Sequence, residues 1–436
     1  MDLTLFLPCA AGVEDFLAAE VARVTGVPTD QMRVSRGGVQ VRASWRDAMA
    51  LNLHSRLAQR VLVQLAHRPY QTEQHVYDTA ADVAWEIWFT PRQSIKVEVT
   101  AQHSPLKSLN FAALRVKDAV CDRLRHKKGE RPNVDTANPD VRLYAHLTAE
   151  HCTVYIDTSG DPLFKRGWRV DKGDAPLKET LAAAMVVATG WTGQADPSTG
   201  EHTPLYDPCC GSGTVLIEAA QMALNMAPGR NRRFAFEKLM PYQAHVWQAL
   251  KTQAQQQEVA WTPDRAPFVF GSDVAFRMVD FARRNAERAG VAHAIELRGG
   301  DALQRTPPAN RPGVLLLNPP YGERIAAAGV AGQQASTRAS LGRGERSSTG
   351  GREVALQADG RENADFFAQL ATHWKNHYAG WTAWLLTPDL KLPSQMRFKE
   401  SRRVPLWNGP IECRLFRFDL TARNPRPPQT PPSATA

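Results

Sequence analysis

The stretch "YDPCCGSGTVLIEAAQMALNMAPG", residues 206–229, decides how the rest of the chain is read. A strand end runs into Asp207 and Pro208, two cysteines follow, and Gly211 and Gly213 open a helix-forming run that Pro228-Gly229 stops. Glycines in such a turn let a ligand approach the backbone, and the helix start offers unpaired N–H groups. A phosphate loop fits poorly. There is no Gly-Lys-Ser/Thr ending, and Leu216 stands where the dinucleotide fingerprint needs its third glycine. Asp207 would repel phosphate, whereas it suits a ligand carrying an ammonium or sulfonium group.

Three more strand ends carry polar residues. "FVFGSDV" (268–274) ends in Asp273, placed to bond ribose hydroxyls; a cap on the helix starting at Val274 is the alternative role. Its distance from the glycines exceeds the usual spacing because residues 230 to about 265 read as an inserted helical segment. "AIELRGGDAL" (294–303) ends near Asp301, which can reach an adenine amino group. The apolar run Val314–Leu317 stops at Asn318-Pro319-Pro320-Tyr321, where prolines force the chain out of the sheet. Strand–helix alternation from Tyr206 onward predicts a mostly parallel α/β sheet, whose ligands bind beyond the carboxyl ends of the strands. "RRVPLWNGPIECRLFRFDL" (402–420) reads as an antiparallel edge hairpin turning at Asn408-Gly409.

The region before residue 160 has a different texture. A strand and amphipathic helix closed by Gly26 lead to a hairpin at Gly37-Gly38, a helix over 47–57 and further strands at 60–68 and 94–102. "SLNFAALRVKDAVCDRLRHKKGERP" (108–132) reads as a helix with apolar positions at Phe111, Leu114, Val120 and Leu124 and a basic end. Two strands, 141–149 and 151–160, complete an α+β region. The expected divisions are 1–44, 45–160, a linker with the next domain's first helix at 161–204, and 205–424. Within the last, residues 325–363 read as a mobile Gly/Ser/Arg-rich insertion, and 425–436 as a disordered Pro-rich tail.

The totals agree with this layout. A chain of 436 residues and 48.3 kDa holds two or three domains. A formal net charge of +9 draws polyanions, nucleic acid first. No apolar run is long enough to span a bilayer, and the N-terminus lacks the basic start of a signal peptide. The six cysteines show no metal-ligand spacing, which argues for buried thiols in a reducing cytoplasm and against a metal site.

"DPCCGSGTVLIEAA" and "NPPYGER" resemble the class I S-adenosylmethionine-dependent methyltransferases that carry an Asn-Pro-Pro-Tyr motif. With "FLPCAAGVEDFLAAEV", "KDAVCDRLR", "FKRGWR" and "APLKETLAAAM", the chain is more closely similar to THUMP-domain RNA guanine-N2 methyltransferases, in particular the bacterial large-subunit (23S) rRNA enzymes. Some members carry a second methyltransferase downstream, which is not expected in this chain. The resemblance implies a Rossmann-like methyltransferase sheet behind a ferredoxin-like and THUMP region. It implies S-adenosylmethionine as cofactor, with Asp207, Gly211 and Gly213 at the methionine part and Pro208 and Thr214 beside them. Asp273 would take the ribose, and Asp301 with Ala302 the adenine. Asn318, Pro319 and Tyr321 would hold the target base. RNA contacts are expected from Lys117, Arg125, Lys127, Lys128, Lys165, Arg166, Arg169 and Arg324, with fixing the linker as the alternative role of Lys165, Arg166 and Arg169, and with 23S rRNA or a precursor ribosomal particle as partner. The alternatives are a tRNA guanine-N2 methyltransferase, a DNA adenine-N6 methyltransferase and a non-catalytic ribosome-assembly factor. Cys209-Cys210 departs from relatives with a bulkier residue before one cysteine; no base motif supports a nucleophilic thiol.

Overall fold

Alternating burial along the N-terminal strands explains how the first half is built. In β1 (Asp2–Pro8), Leu3, Leu5 and Leu7 are buried while Thr4 and Phe6 lie on the other face, and β6 (Val141–Leu147) alternates likewise. With β2 (Arg33–Ser35), β3 (Gly38–Ser44), β4 (Leu62–Pro69), β5 (Ile95–Ala101) and β7 (His151–Asp157), they form one seven-stranded sheet in the order β2-β3-β1-β4-β7-β6-β5. All neighbours are antiparallel except β5 and β6. Helices α1 (Glu14–Thr25), α2 (Trp45–His54), α3 (Glu73–Ala81) and α4 (Leu109–Lys128) pack on the apolar face. Because β4 pairs with both β1 and β7, the sheet continues through residue 44 without a break. Ser44 and Asp47 close a capping box that starts α2 there.

The computed structural model describes residues 2–173, 176–262, 265–319 and 360–421, with side chains from 365 in the last segment. Tyr321, Arg324, the tail 425–436 and most of the expected insertion lie outside the described residues. The helix Gly360–His377 begins inside the range 325–363 expected to lack periodicity.

The second sheet runs β10-β9-β8-β11-β12-β14-β13. Its strands are β8 (Leu205–Asp207), β9 (Val269–Asp273), β10 (Ile295–Gly299), β11 (Val314–Leu317), β12 (Thr382–Thr387), β13 (Arg402–Asn408) and β14 (Ile411–Asp419). The first five are parallel; β14 and β13 add the expected antiparallel hairpin, with Gly409 at φ +63° in its turn. Both faces are covered, which is why β11 reads as an unbroken apolar run. On one side lie α5 (Glu179–Thr189), α6 (Thr214–Ala223) and α8 (Phe276–Ala289); on the other the helix Gly360–His377 contributes Phe367, Leu370 and Trp374. The predicted inserted helix is α7 (Ala244–Gln256), which packs against α2 of the first half.

The halves are joined at several places. The Trp407 amide donates to the Ala11 carbonyl, and Gly12 (φ +86°) fits so closely that a Cβ there would sit 2.1 Å from the Pro405 carbonyl oxygen. Deeper in, Glu218 of α6 is fully buried between Arg56 (3.0 Å), just after α2, and Arg166 (3.1 Å), from the linker.

Two expectations are corrected. Phe111 and Leu114 are about half exposed (49% and 50%), because α4 buries the stripe Ala112, Val116, Val120 and Leu124 at a strict four-residue spacing. Helix α3, whose Val76 and Ala80 are fully buried, was not anticipated: its polar sequence "EQHVYDTAA" carries only a short apolar signal.

Candidate active site

Strand β8 ends on Asp207, which is buried (2% exposed) and accepts the Cys209 amide at 3.0 Å. Burial, reinforced by the nearby Asp273 charge, pushes its carboxyl up to about 8 against the Cys209 hydrogen bond. The chain then turns through Gly211 (φ +53°) and Gly213 (φ +85°) into α6. The two glycines serve different ends. A Cβ on Gly211 would meet nothing within 4 Å, so that turn borders open space. A Cβ on Gly213 would lie 3.0 Å from Ala282 Cβ, so this glycine lets α8 pack against the loop.

Asp273, at the end of β9, binds two backbone amides rather than capping a helix at Val274, since α8 starts at Phe276 with Ala275 as its N-cap residue. One carboxylate oxygen accepts the Gly211 amide and the other the Ala275 amide, each at 2.9 Å. Burial raises its carboxyl against both bonds. Asp301 follows β10 and accepts the Leu303 amide at 2.9 Å; Ala302 is buried beside it. The three acids converge: Asp207, Asp273 and Asp301 all act on the Cys209 thiol, which burial first and these charges second hold well above its ordinary range. That environment opposes a thiolate. Tyr206 and Ser272 tie the two strands behind the site at 2.6 Å.

Asn318 emerges on the adjacent strand. Register pairs Leu315 with Tyr206, so β11 and β8 run side by side and leave the sheet at Asn318 and Asp207. Pro208, Gly211, Gly213, Asp273, Asp301, Ala302, Asn318 and Pro319 thus share one end of the sheet; Tyr321 lies outside the described residues.

Other predicted residues are placed elsewhere. Arg166 is buried, bonded to Glu218 and to the Leu163 and Arg56 carbonyls. Arg169 is turned inward as well, donating to Glu179 (2.8 Å), Ser212 Oγ (3.2 Å), Thr214 Oγ1 (2.8 Å) and the Leu177 carbonyl (2.9 Å). Both arginines fix the linker, a correction to the expected RNA contact, because desolvated guanidinium groups need several acceptors at once. Thr214's hydroxyl is likewise engaged by Arg169. Lys165 is exposed beside Asp161, and Arg125, Lys127 and Lys128 are exposed at the end of α4; Lys117, half-buried, pairs with Asp118. Phe276 was missed. It is 72% exposed next to Gly299, an apolar ring at the same end of the sheet, and its signal was an unpartnered aromatic three residues after Asp273.

The donor set matches a sulfonium nucleoside. Among the described residues no basic side chain forms an ion pair with Asp207 or Asp273, so a cationic ligand would complement the acid cluster, with vicinal hydroxyls at Asp273 and the face of a base beside Phe276. Fold and donor set are those that would hold S-adenosylmethionine.

Comparison with known proteins narrows this. Residues 166–360 match the RMKL-like methyltransferase domain family, 70–157 the THUMP domain and 4–62 the RlmL ferredoxin-like domain. In chain order the matches are thus a ferredoxin-like domain and a THUMP domain ahead of an RMKL-like methyltransferase domain. It is 34% identical, over 97% of its length, to the ribosomal RNA large subunit methyltransferase K/L of Psychromonas ingrahamii, and covers 51% of that protein. The chain spans about half the length of the curated relatives it matches. Among solved structures, a methyltransferase complexed with SAH aligns at TM-score 0.78 and 25% identity, covering 98% of this chain and 99% of that one. A predicted N6-adenine-specific DNA methylase from Listeria monocytogenes aligns at 0.76 and 25%, covering 96% of each.

Proposed function

We propose that the chain methylates the exocyclic amine of a guanine in large-subunit ribosomal RNA, forming N2-methylguanosine, in the cytoplasm. The observation that carries this reading is the adjacency of β8 and β11, which sets an acid-lined cofactor loop beside Asn318-Pro319. S-adenosylmethionine, when bound, supplies a methyl group already activated by its sulfonium, so positioning accounts for most of the rate.

The amine is a weak nucleophile because its lone pair is delocalised into the ring. The Asn318 side-chain oxygen and the Pro319 carbonyl each accept one N–H. With both protons held, the lone pair turns toward the methyl, and the nitrogen, cationic once the new bond forms, sheds one proton to water. Tyr321, if stacked on the base, would add roughly 1–3 kcal/mol. The guanine must be unpaired or flipped for its amine to reach Asn318.

RNA rather than DNA is favoured by the THUMP domain and by the K/L relatives; the exposed Arg125, Lys127 and Lys128 offer phosphate contacts. The test is methylation of deproteinised 23S rRNA from a strain lacking the gene, with tritiated S-adenosylmethionine and nucleoside analysis. N2-methylguanosine in 23S rRNA is the expected product. Label in tRNA alone, or as N6-methyladenosine in DNA, would replace this reading.

A further inference from the structure

The glycine turn after β8 is held from outside its own strand and helix. Gly211 and Gly213 sit at φ +53° and +85°, and glycines leave such a turn a choice of backbone states. Asp273 fixes the Gly211 amide. Between the glycines, Ser212 is buried and is bonded at both of its oxygens. Its hydroxyl accepts Arg169 Nη1 at 3.2 Å, and its carbonyl accepts Asn285 Nδ2 at 3.0 Å. Arg169 Nη2 donates to Thr214 Oγ1 (2.8 Å), at the first residue of α6.

Both donors belong to one assembly. Arg169, in the linker, is anchored by Glu179 at the start of α5 (2.8 Å) and by the Leu177 carbonyl (2.9 Å). Asn285, fully buried on α8, also donates to the Asp171 carbonyl (2.8 Å), and its oxygen accepts the Val170 amide (3.3 Å). Arg288 Nε donates to the Trp168 carbonyl (3.0 Å), and Arg284 and Arg288 both pair with Asp171. Upstream, Arg166 bonds the Arg56 carbonyl of the N-terminal half (2.7 Å). Residues 166–171 thus form a strut that starts on the first half, is stitched to α8 and ends on the glycine turn. A planar guanidinium reaches Glu179, Ser212 and Thr214 together, whereas an ammonium cannot hold that fork. A turn fixed before its ligand arrives loses less freedom on binding.

We infer that Arg169 is a positioning residue for S-adenosylmethionine, acting through Ser212 and Thr214 to preset the turn. It therefore sets cofactor affinity and not the methyl-transfer step. The inference rests on the cofactor binding at this turn, and not on which nucleic acid is methylated. Arg169→Lys keeps a cation beside Glu179 and removes the fork. Calorimetry should show S-adenosylmethionine bound at least 10-fold more weakly. In methylation of 23S rRNA, KM for the cofactor should rise as much, with kcat within threefold of wild type. Ser212→Ala/Thr214→Val removes the acceptors, keeps the Arg169–Glu179 pair, and should weaken binding at least fivefold. Adding it to Arg169→Lys should cost less than a further twofold, because the same bonds are already broken. Affinity within twofold of wild type in Arg169→Lys, a kcat that falls as far as affinity, or losses that add in full would overturn the inference. If Arg169→Lys shows no thermal unfolding transition, the hydroxyl variant decides alone, and affinity within twofold of wild type overturns the inference. If wild type leaves 23S rRNA unmethylated, the function proposed above fails, while calorimetry still decides the role of Arg169.

Discussion

Asp273 accepts the Gly211 amide at 2.9 Å, so the acid ending one strand holds the glycine turn that ends its neighbour. The carboxylate therefore shapes the loop as well as standing at the proposed cofactor site. Hydrogen bonds to charged groups contribute about 1.5–3 kcal/mol, so Asp273→Ala should weaken S-adenosylmethionine binding roughly 10- to 100-fold. Titration calorimetry checks this; affinity within twofold of wild type would show that the loop sets itself.

Asp207 gives a pH signature. Its folded carboxyl titrates near 8, above the ordinary 3.8, through burial and then Asp273. The unliganded protein is therefore favoured by this group below about 4, and loses that contribution as pH rises through 8. A cationic ligand favours the ionised form, so binding expels a proton. Cofactor affinity should rise between pH 6 and 8.5 in wild type and stay flat in Asp207→Asn. Calorimetry in buffers of differing ionisation enthalpy reads the proton directly; zero proton release at pH 7 would refute it.

The two glycines should separate stability from binding. Gly213→Ala combines a left-handed backbone with a Cβ 3.0 Å from Ala282, and should cost about 2–4 kcal/mol, seen as a fall of several degrees in Tm. Gly211→Ala points its methyl into open space and should lower cofactor affinity more than Tm. Equal thermal losses in both variants would contradict the division.

Asn318→Ala should reduce kcat by roughly 10²–10³ while cofactor affinity stays within about twofold, since the amide acts on the acceptor base. Single-turnover methylation gives the rate. An unchanged rate would remove Asn318 from the chemistry.

Glu218 is the shared counter-ion of two buried arginines from different parts of the chain. Glu218→Gln removes the carboxylate that both guanidinium groups bond, leaving Arg56 only the more distant Glu20, and should cost about 3–5 kcal/mol. Denaturant unfolding followed by tryptophan fluorescence measures it. A loss below about 1 kcal/mol would mean that water reaches the cluster.

Much of this was legible before any coordinates. The glycine loop, the acids at 273 and 301 and the exit at Asn318 could be placed because parallel strands are short apolar runs ending where ligands bind. The hairpin at Asn408-Gly409 was equally plain. Exposure was harder to read: Arg166 and Arg169 look like surface cations in sequence, and only the fold shows Glu218 and Glu179 waiting for them. Phe111 and Leu114 misled for the opposite reason, since the stripe that α4 buries uses the smaller Ala112 and Val116. The continuity of the N-terminal sheet through β4 depends on long-range pairing, which no local pattern records.

The clasp of Gly12 against Pro405, with Trp407 bonded to Ala11, has a consequence for biosynthesis. Its partners leave the ribosome almost a full chain apart, a delay on the order of tens of seconds at cellular elongation rates. During that interval the first loop has its own sheet to fold on but no hairpin to press against it. The clasp can close only once that hairpin has emerged, so damage to the β13–β14 hairpin should show itself as a late failure of assembly, with the N-terminal sheet already formed.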